Sequence, residues 1–489
     1  MDGSVRLSSR QGRSLLAAMV LGSGIAFLDS TVVNVALPTI GRELDADLAA
    51  LQWTVNAYTL TLASLILLGG SLGDHLGRRR IFVIGVLAFT AASVLCAMAP
   101  NVEVLIAARA LQGVGGALLT PGSLAILQTS MHPDDRARAI GLWAGLTGTA
   151  GIVGPLLGGW LLEYSWRWVF AINVPIAAVT VWLAVRHAPE SRDEQAGDSF
   201  DIPGAVFGAV ALGASTYALV EVPGQGASVM VIGSAVLSVV AAVLFLRRER
   251  VAPVPMVPLT LFRDRTFSVV NAMTFVVYAG LSGIFFFLVI QLQVSLGWSP
   301  LAAGLASLPV TLLMLVFSGR SGDLGARVGP RVMLGIGSLV GSSGVVLLSF
   351  VEPGDEYASA VFPGVLLLGV GLTTLVPTLT ATVMASAPAH LVGIASGVNN
   401  GVSRAAGLMA VAALPAITGL AGQAYADPGL LTDAYSMSLL ICAALMAAGG
   451  ILSVTMLPRH VAQRHAEPEL EATATAPCTA PGATSTHGH

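Results

Sequence analysis

The acidic side chain best placed to do chemistry is Asp29, which lies about 15 residues into a long apolar run that starts near residue 14. A carboxylate at membrane depth costs about 2.5–3.5 kcal/mol to insert, so it is usually retained for a pathway or a partner. Burial disfavours its charged form, which favours exchange of a proton. The sequence therefore predicts proton coupling at Asp29, and a purely structural salt bridge is the alternative.

Arg109 is the expected partner of this carboxylate. It lies in the fourth apolar run, which begins near Glu103, and at about 1.5 Å per residue it is about 9 Å below the end of that run. The first run ends near Ala36, which leaves Asp29 about 10 Å below the same surface. The matched depths predict an ion pair, and protonation of Asp29 would free Arg109 to change partner. A static pair is the alternative.

Other polar side chains within the apolar runs are candidates to line a substrate cavity. Arg404 lies in the middle of a run, with no acidic residue at comparable depth in the second half of the chain. Its partner is expected to be a substrate, a backbone carbonyl or Asp29. For several of the others, anchoring at the membrane interface is the alternative. The predicted cavity residues are Asn34, Trp53, Asn56, Tyr58, Gln112, Gln291, Gln293, Asn399, Asn400 and Arg404.

A short charged turn, GSLGDHLGRRR, separates two apolar runs at residues 70–80, and a weaker copy, SGDLGARVGPR, occupies residues 321–331. A second pair, residues 138–141 and 394–397, repeats at nearly the same offset of about 252 positions. Two repeats in the same order predict a duplicated membrane bundle, the arrangement from which many carriers build a gate. The predicted gating residues are Gly70, Gly73, Asp74, Gly77, Arg78 and Arg79.

The segment at residues 141–159, GLWAGLTGTAGIVGPLLGG, is rich in small residues. Small residues let helices approach closely, and a proline removes one backbone hydrogen bond and bends a helix. Simple packing is the alternative to a functional hinge between two halves of the chain. The predicted hinge residues are Gly141, Gly154, Pro155, Gly158 and Gly159.

These residues must be positioned by membrane helices, because 55% of the 489 residues are hydrophobic, only 10% are charged, and the mean hydropathy is +0.80. Apolar runs of about 20 residues can cross a bilayer, and the chain contains fourteen. The prediction is an all-α polytopic protein. The runs are 14–36, 52–72, 80–99, 103–129, 138–162, 166–186, 202–222, 228–246, 266–292, 300–319, 331–350, 358–385, 391–420 and 435–457.

The composition excludes several kinds of chemistry. All 24 basic residues are arginine, so neither a Walker A lysine nor a Schiff-base lysine exists in this chain. The three cysteines are far apart along the chain and suggest neither a disulfide framework nor a metal site. We therefore expect no enzyme, no metal and no organic cofactor. Protons are the expected coupling ion, and a small amphipathic molecule and the lipid bilayer are the expected partners, without nucleic acid.

Arginine placement predicts the orientation in the membrane. Twenty of the 24 arginines lie near the two termini or in loops that follow even-numbered runs, whereas the opposite loops carry mainly acidic residues. Because cytoplasmic loops are enriched in basic residues, both termini are predicted to be cytoplasmic. The first run continues too far for a signal peptide and is kept as a membrane span.

The predicted organisation has five parts. A cytoplasmic N-terminus, an N-terminal six-helix bundle, a linker with two additional helices, a C-terminal six-helix bundle and a disordered cytoplasmic tail follow one another. They occupy residues 1–13, 14–187, 188–250, 251–458 and 459–489. The tail is rich in Ala, Thr, Pro and Glu, a composition that cannot form a core.

With these motifs in place, the chain resembles the major facilitator superfamily over nearly all of residues 14–457. The turn at residues 70–79, the segment from Arg109 to Gly115 and the segment at residues 141–159 are similar to three motifs of that family. Ala150 stands where the third motif usually has glycine. Fourteen spans, with the segments 28–38, 166–175 and 293–309, resemble its drug/proton antiporters.

The resemblance implies two six-helix bundles with two extra central helices, and export by alternating access. It further implies that Arg109 takes part in proton coupling, that residues 154–159 are typical of antiporters, and that Asp74, with Arg78 as partner, locks the outward-open state. The predicted protein is a monomeric, proton-coupled efflux carrier of the cell membrane, with drug-like or antibiotic cargo, a cation being one option. The alternatives are a symporter or uptake carrier on the same fold, and a membrane receptor or enzyme.

Overall fold

A computed structural model describes residues 5–192, 201–253, 255–388 and 391–458. Within these ranges the regular secondary structure is helical, apart from an isolated β-bridge between Val5 and Met131. The predicted tail at residues 459–489 lies outside the described residues. The all-α polytopic fold predicted from the sequence is confirmed.

The long helices are labelled α1 to α14 in chain order. They are α1, Arg10–Glu43; α2, Leu48–Leu76; α3, Arg78–Ala97; α4, Val102–Ser130; α5, Pro133–Leu162; α6, Arg167–His187; α7, Ile202–Gln225; α8, Val229–Val251; α9, Arg265–Ser295; α10, Pro300–Ala306 continued by Leu308–Val328; α11, Pro330–Leu348; α12, Tyr357–Ser386; α13, Val392–Thr418; and α14, Pro428–Met456.

Several helices begin before the apolar runs that predicted them, because polar residues cap them. Ser9 Oγ, Asp47 Oδ1 and Asn101 Oδ1 each accept a hydrogen bond from a backbone N–H of the first turn, at 2.9, 2.9 and 3.0 Å. Such caps satisfy N–H groups that have no partner within the helix. Hydropathy alone therefore underestimates the length of these helices.

Thirteen helices in the described residues are long and apolar enough to cross a membrane. They correspond to thirteen of the fourteen predicted runs. The remaining run, 138–162, lies within α5, where the described apolar segment is the shorter Val153–Leu162. The chain is thus a multi-pass membrane protein, and the count of fourteen spans stays a prediction.

The helices pack as two groups with a helix pair between them. In the first group α1 contacts α4, α5 and α6, while α4 contacts α2 and α3. In the second group α9 contacts α13 and α14, and α11 contacts α12 and α14. Helices α7 and α8 pack together, and α7 lies against both α2 and α13, one helix from each group. We call the two groups the first and second bundles.

The internal repeat is visible in the backbone of two turns. Gly77, between α2 and α3, has φ +111°, and Gly329, between α10 and α11, has φ +95°. The N–H of each donates to the carbonyl four residues earlier, Gly73 at 3.1 Å and Gly325 at 2.9 Å. L-residues with a side chain rarely adopt this backbone region, so both turns favour glycine for the same reason.

The two bundles are joined at one end. The terminal face is the end at which α1 begins and α14 ends, and the distal face is the opposite end. Near the distal face, Gln52 Nε2 donates to the carbonyl of Val411 at 2.6 Å, and Gln293 Nε2 donates to that of Val35 at 2.8 Å. The hydroxyl of Tyr425 donates to Ala46 at 3.0 Å. All hydrogen bonds between the bundles in the described residues lie in this distal region.

Helices α5 and α10 also meet near the distal face. A Cβ added at Gly304 would lie 2.6 Å from the carbonyl oxygen of Pro155, and one added at Gly159 would collide with Leu301. Nearer the terminal face, added Cβ atoms at Gly141 and Gly145 would meet nothing within 4 Å. The bundles are therefore in contact distally and separate along α5 towards the terminal face.

This geometry predicts that Gly304→Val weakens the distal closure, because the new side chain meets backbone that cannot rotate away. With spin labels at the exposed, distal positions Tyr164 and Phe350, we expect the mean distance between labels to increase by several ångströms. Gly145→Val, on the open part of α5, is the matched control and should leave the distance unchanged. Identical distance distributions for the two variants would contradict the proposed contact.

Candidate functional site

Asp29 lies in the middle of α1 and is completely buried in the first bundle. Its Oδ2 is 2.5 Å from Arg109 Nη1 on α4, and the side chain of Arg109 is 1% exposed. The pairing predicted from matched depths is therefore present in the structure. Neither charge contacts water, so each is stabilised by the other and by the polar groups around them.

The second carboxylate oxygen is held by two amides. Asp29 Oδ1 accepts hydrogen bonds from Gln112 Nε2 at 2.8 Å and from Asn173 Nδ2 at 3.2 Å. Both amides also lie within hydrogen-bond distance of Ser93 Oγ, at 2.8 and 3.2 Å. We call Asp29, Arg109, Gln112, Asn173 and Ser93 the charge network. All direct partners of the carboxylate are donors, so the network is suited to the ionised form of Asp29.

Arg109 is held on several sides by the first bundle. Its Nε donates to the carbonyl of Thr54 at 3.0 Å, and its Nη1 donates to Gln112 Oε1 at 2.6 Å. Its guanidinium carbon lies 4.4 Å from the ring centre of Tyr58 and 5.8 Å from that of Phe170. These contacts with aromatic faces stabilise a cation. Arg109 would therefore keep partners if Asp29 lost its charge.

The structure adds two residues that the sequence analysis did not assign to a site. Ser93 on α3 and Asn173 at the start of the long part of α6 are both fully buried. Their signal in the sequence is a single polar residue within an apolar run, which is common in membrane helices. Gln112, predicted for the substrate cavity, is placed in the charge network instead, with both ends of its amide occupied.

Asn173 also offers an acceptor that is not used in this arrangement. Its Oδ1 is buried and has no hydrogen-bond partner. If Asp29 were protonated, its new O–H would need an acceptor, and rotation of the Asn173 amide would present this oxygen. The network thus has a partner for either protonation state of the carboxyl.

Arg404 lies near the middle of α13 and contrasts with Arg109. It is partly buried, its Nε is buried without a hydrogen-bond partner, and it forms none of the ion pairs found among the described residues. It interacts electrostatically with Tyr58 on α2 and Tyr278 on α9. Asp29, one of its predicted partners, is occupied by Arg109. Arg404 therefore lies between the bundles as a cation without an acidic partner in the described residues.

Besides Tyr58, which packs on Arg109, three predicted cavity residues lie on the part of the first bundle around α2. Trp53 Nε1 donates to Glu221 Oε1 on α7 at 3.1 Å. Asn56 is fully buried, and neither atom of its amide has a hydrogen-bond partner. Asn34 is partly buried on α1. Asn56 is thus an unused polar group inside the protein.

The remaining predicted cavity residues lie in the second bundle. Asn399 Nδ2 donates to Asn271 and Thr274 on α9, at 3.1 and 2.8 Å, while Asn400 is exposed. Gln291 is fully buried and donates to Val351 and Thr432, at 3.2 and 3.0 Å. Gln293 donates its hydrogen bond to Val35, across the contact between the bundles. Asn400 Nδ2 donates to the carbonyl of Ser396 at 3.1 Å, so apart from Arg404 each of these side chains has a hydrogen bond within the protein.

The predicted gating turn is built around a local ion pair. Arg78 Nη2 lies 2.7 Å from Asp74 Oδ1, and Arg78 Nε donates to the same oxygen at 2.8 Å. Arg79 pairs with Glu190 after α6 at 3.5 Å, and the Arg78 N–H donates to the carbonyl of Ser191. The turn at Gly77 is thereby attached to the end of α6 at the terminal face. In the described residues, both ion pairs stay within the first bundle.

The predicted hinge glycines lie on two sides of α5. An added Cβ at Gly154 would collide with Thr31, and one at Gly158 would lie 2.8 Å from Val32. These glycines therefore allow α1 to approach α5 two to three residues beyond Asp29. Gly159 and Pro155 meet α10 of the second bundle, as described above. Gly141 contacts neither surface.

The charge network predicts a specific pattern of stability. Asp29→Asn should lower the free energy of unfolding by about 3–5 kcal/mol, because it leaves Arg109 buried without its counter-charge. Arg109→Gln should have a cost of similar size. The double variant should cost clearly less than the sum, and thermal unfolding of the purified protein in detergent measures all four members of this cycle. Additive losses would mean that the two charges are not coupled.

The comparisons with known proteins fit this architecture. A sequence model described as Major Facilitator Superfamily matches residues 19–412. Methylenomycin A resistance protein of Bacillus subtilis is 36% identical over 91% of this chain and 97% of its own. Puromycin resistance protein pur8 of Streptomyces alboniger is 36% identical over 85% and 83%, and multidrug resistance protein Stp of Mycobacterium tuberculosis is 35% identical over 78% and 71%.

Solved structures share the fold at low sequence identity. A bacterial homologue of the human lysosomal transporter Spinster, in an inward-facing and unoccupied conformation, has a TM-score of 0.66 at 17% identity and covers 94% of this chain and 100% of its own. A POT family transporter in complex with 5-aminolevulinic acid has a TM-score of 0.67 at 12% identity, covering 91% and 97%. On the evidence of the sequence model and the relatives, this chain belongs to the Major Facilitator Superfamily.

Proposed function

We propose that this chain exports drug-like molecules, antibiotics among them, in exchange for protons, by alternating access across the cell membrane. The observation that carries the proposal is the sealed pair of Asp29 and Arg109, a titratable acid at membrane depth with its counter-charge. The names of the relatives, which are resistance and export proteins, support the direction and the kind of cargo. An enzymatic role is not expected of a transporter family.

The geometry suggests how a proton would drive the cycle. In the arrangement that is closed at the distal face, all direct partners of the Asp29 carboxylate are donors, which suits its ionised form. Protonation removes its charge and weakens the bond to Arg109, which retains Thr54, Gln112 and Tyr58 as partners. Since the five members of the charge network lie on α1, α3, α4 and α6, a change in one bond alters the packing of four helices. We infer that cargo binding favours opening at the distal face, where cargo leaves and Asp29 takes up a proton from outside, and that the protonated carrier returns to this arrangement and releases the proton to the terminal face.

The orientation and organisation remain those predicted from the sequence. Arginine placement puts the terminal face in the cytoplasm, so the separated side of α5 and α10 would receive cargo from inside the cell. The first and second bundles would be residues 14–187 and 251–458, with the helix pair at 188–250 between them. The working unit is proposed to be a monomer of the drug/proton antiporter group, without a metal or organic cofactor.

A symporter on the same fold would use the same acid with cargo and proton moving together. The segment around Gly154 and Pro155 favours the antiporter, because it resembles the antiporter motif and brings α5 against both α1 and α10. The direction of proton movement during cargo transport distinguishes the two mechanisms.

Asp29→Asn should abolish proton-driven export while the protein remains in the membrane, because an amide cannot exchange the proton. The measurement is dye or antibiotic uptake into inverted membrane vesicles energised by a proton gradient, together with proton release on addition of cargo. Asp433→Asn, an exposed acid on α14, is the control and should transport normally. Export by the Asp29 variant at near wild-type rates would refute the role of this acid.

Asp74→Asn should slow turnover more than it weakens cargo binding, because the Asp74–Arg78 pair lies in the gating turn and outside the charge network. We expect kcat to fall about tenfold with KM changed less than about threefold, since a group that acts on the interconversion of states alters rate rather than affinity. Arg327→Gln, an exposed charge in the last turn of α10, is the control. A large rise in KM with unchanged kcat would contradict the gating role.

A further inference from the structure

The unpaired cation at Arg404 carries information about the cargo. A guanidinium stays protonated in proteins, so Arg404 cannot lose its charge in order to become buried. A buried charge is normally paired or hydrogen-bonded. Arg109 follows this rule, whereas Arg404 has a buried Nε without a partner and no ion pair in the described residues. No acidic residue in the part of the chain that the structure describes forms an ion pair with Arg404.

Two acids that could be considered as partners of Arg404, Asp29 and Glu221, already have other partners. Asp29 is bonded on both oxygens by Arg109, Gln112 and Asn173. Glu221 is bonded by Trp53 and Gln225, and it lies one turn from the distal end of α7, about 6 Å deep. Arg404 lies about 21 Å from the distal end of α13 at about 1.5 Å per residue. The two therefore differ in depth by about 15 Å, beyond the reach of an ion pair.

Arg404 lies on an incompletely packed part of α13, where Asn400 is exposed and a Cβ added at Gly401 would meet nothing within 4 Å. Its charge interacts with the buried Tyr58 of the first bundle and the partly buried Tyr278 of the second. Helix α2 runs antiparallel to α13, with Gln52 beside Val411 and Leu67 beside Gly397. This register places Arg404 opposite a position near residue 60.

Asn56 lies about one helical turn from that position, on the same face of α2 as Gln52. Both atoms of its buried amide are unused. A cation, an unused amide and two aromatic rings thus lie within the region where α2, α9 and α13 meet.

We propose that this site binds the anionic group of an amphipathic organic anion, with Arg404 as the charge partner, Asn56 as an additional polar contact and Tyr58 and Tyr278 against the apolar part of the cargo. The inference rests on the proposed export function and narrows its substrate class. A cationic cargo would meet an uncompensated positive charge here, and the acid that could offset it is already paired. A carboxylate, phenolate or enolate would supply the missing partner through charge-assisted hydrogen bonds.

The site also connects cargo with the proton. Tyr58 interacts with both cations, because its ring is 4.4 Å from the guanidinium of Arg109 and its hydroxyl interacts electrostatically with Arg404. While Asp29 is ionised, Arg109 is neutralised and an anion at Arg404 experiences one net positive charge. The ionised network and the anion site are therefore compatible in the arrangement that is closed at the distal face.

The test is equilibrium binding of two dyes to the purified full-length protein, followed by fluorescence anisotropy. Fluorescein is an anion near neutral pH, whereas rhodamine 123 is a cation on the same xanthene ring. We expect fluorescein to bind more tightly. Arg404→Gln should weaken its binding at least tenfold, about 1.4 kcal/mol, and should not weaken binding of rhodamine 123. Arg404→Lys should retain part of the fluorescein affinity, and Arg327→Gln is the matched control for loss of an exposed arginine.

Each outcome decides between defined alternatives. Tighter binding of rhodamine 123, or fluorescein binding that Arg404→Gln leaves unchanged, overturns the anion site. So does Arg404-dependent binding to phosphatidylglycerol vesicles with no fluorescein binding, since the partner of Arg404 would then be a lipid headgroup. Proton-driven transport measured in proteoliposomes distinguishes the proposal of an anion site from the proposal of proton exchange. Arg404-dependent fluorescein binding without proton-driven export supports the anion site and refutes the exchange mechanism.

Discussion

The structure depends on one electrostatic constraint: an acid and a base that are both sealed from water in the first bundle must stay close together. In a medium of low polarity their attraction is strong, but so is the cost of removing each from water. The pair therefore makes the packing of the first bundle sensitive to protonation of Asp29, more than it stabilises the fold. Ser93, Gln112 and Asn173 hold the carboxylate, and α1, α3, α4 and α6 are thereby placed in one arrangement that a single proton can disturb.

The two bundles share a backbone plan but differ in charge. Gly77 and Gly329 form equivalent turns, which is the trace of the internal repeat. The first bundle keeps both members of its buried ion pair, whereas the second presents Arg404 with no acid beside it in the described residues. Duplication thus accounts for the shared turns. In our proposal, divergence gave the first bundle the proton chemistry and left the second with a cation that has no acidic partner in the described residues.

Much of the fold and the central pair of the charge network could be predicted from the sequence, for reasons that differ between residues. Apolar runs predict membrane helices because the bilayer sets their length, and Asp29 and Arg109 could be paired because helical rise converts position into depth. Ser93 and Asn173 could not be assigned, since a lone polar residue in a span fits many environments. Gln291 and Gln293 resemble cavity residues in sequence but bind carbonyls near the distal face. That difference depends on which helix faces them, and periodicity within one helix does not determine it.

Helix α7 has a consequence for how the bundles can move. The bond between Trp53 and Glu221 attaches α7 to α2, whereas its contact with α13 has no hydrogen bond in the described residues. An apolar surface of this kind can slide with little cost, while a bonded one moves as a unit. We therefore expect α7 to travel with the first bundle and slip along α13 as the protein changes state. It would act as a side wall that keeps lipid out of the crevice between α2 and α13 throughout the cycle, leaving the crevice between α5 and α10 as the lateral seam that opens.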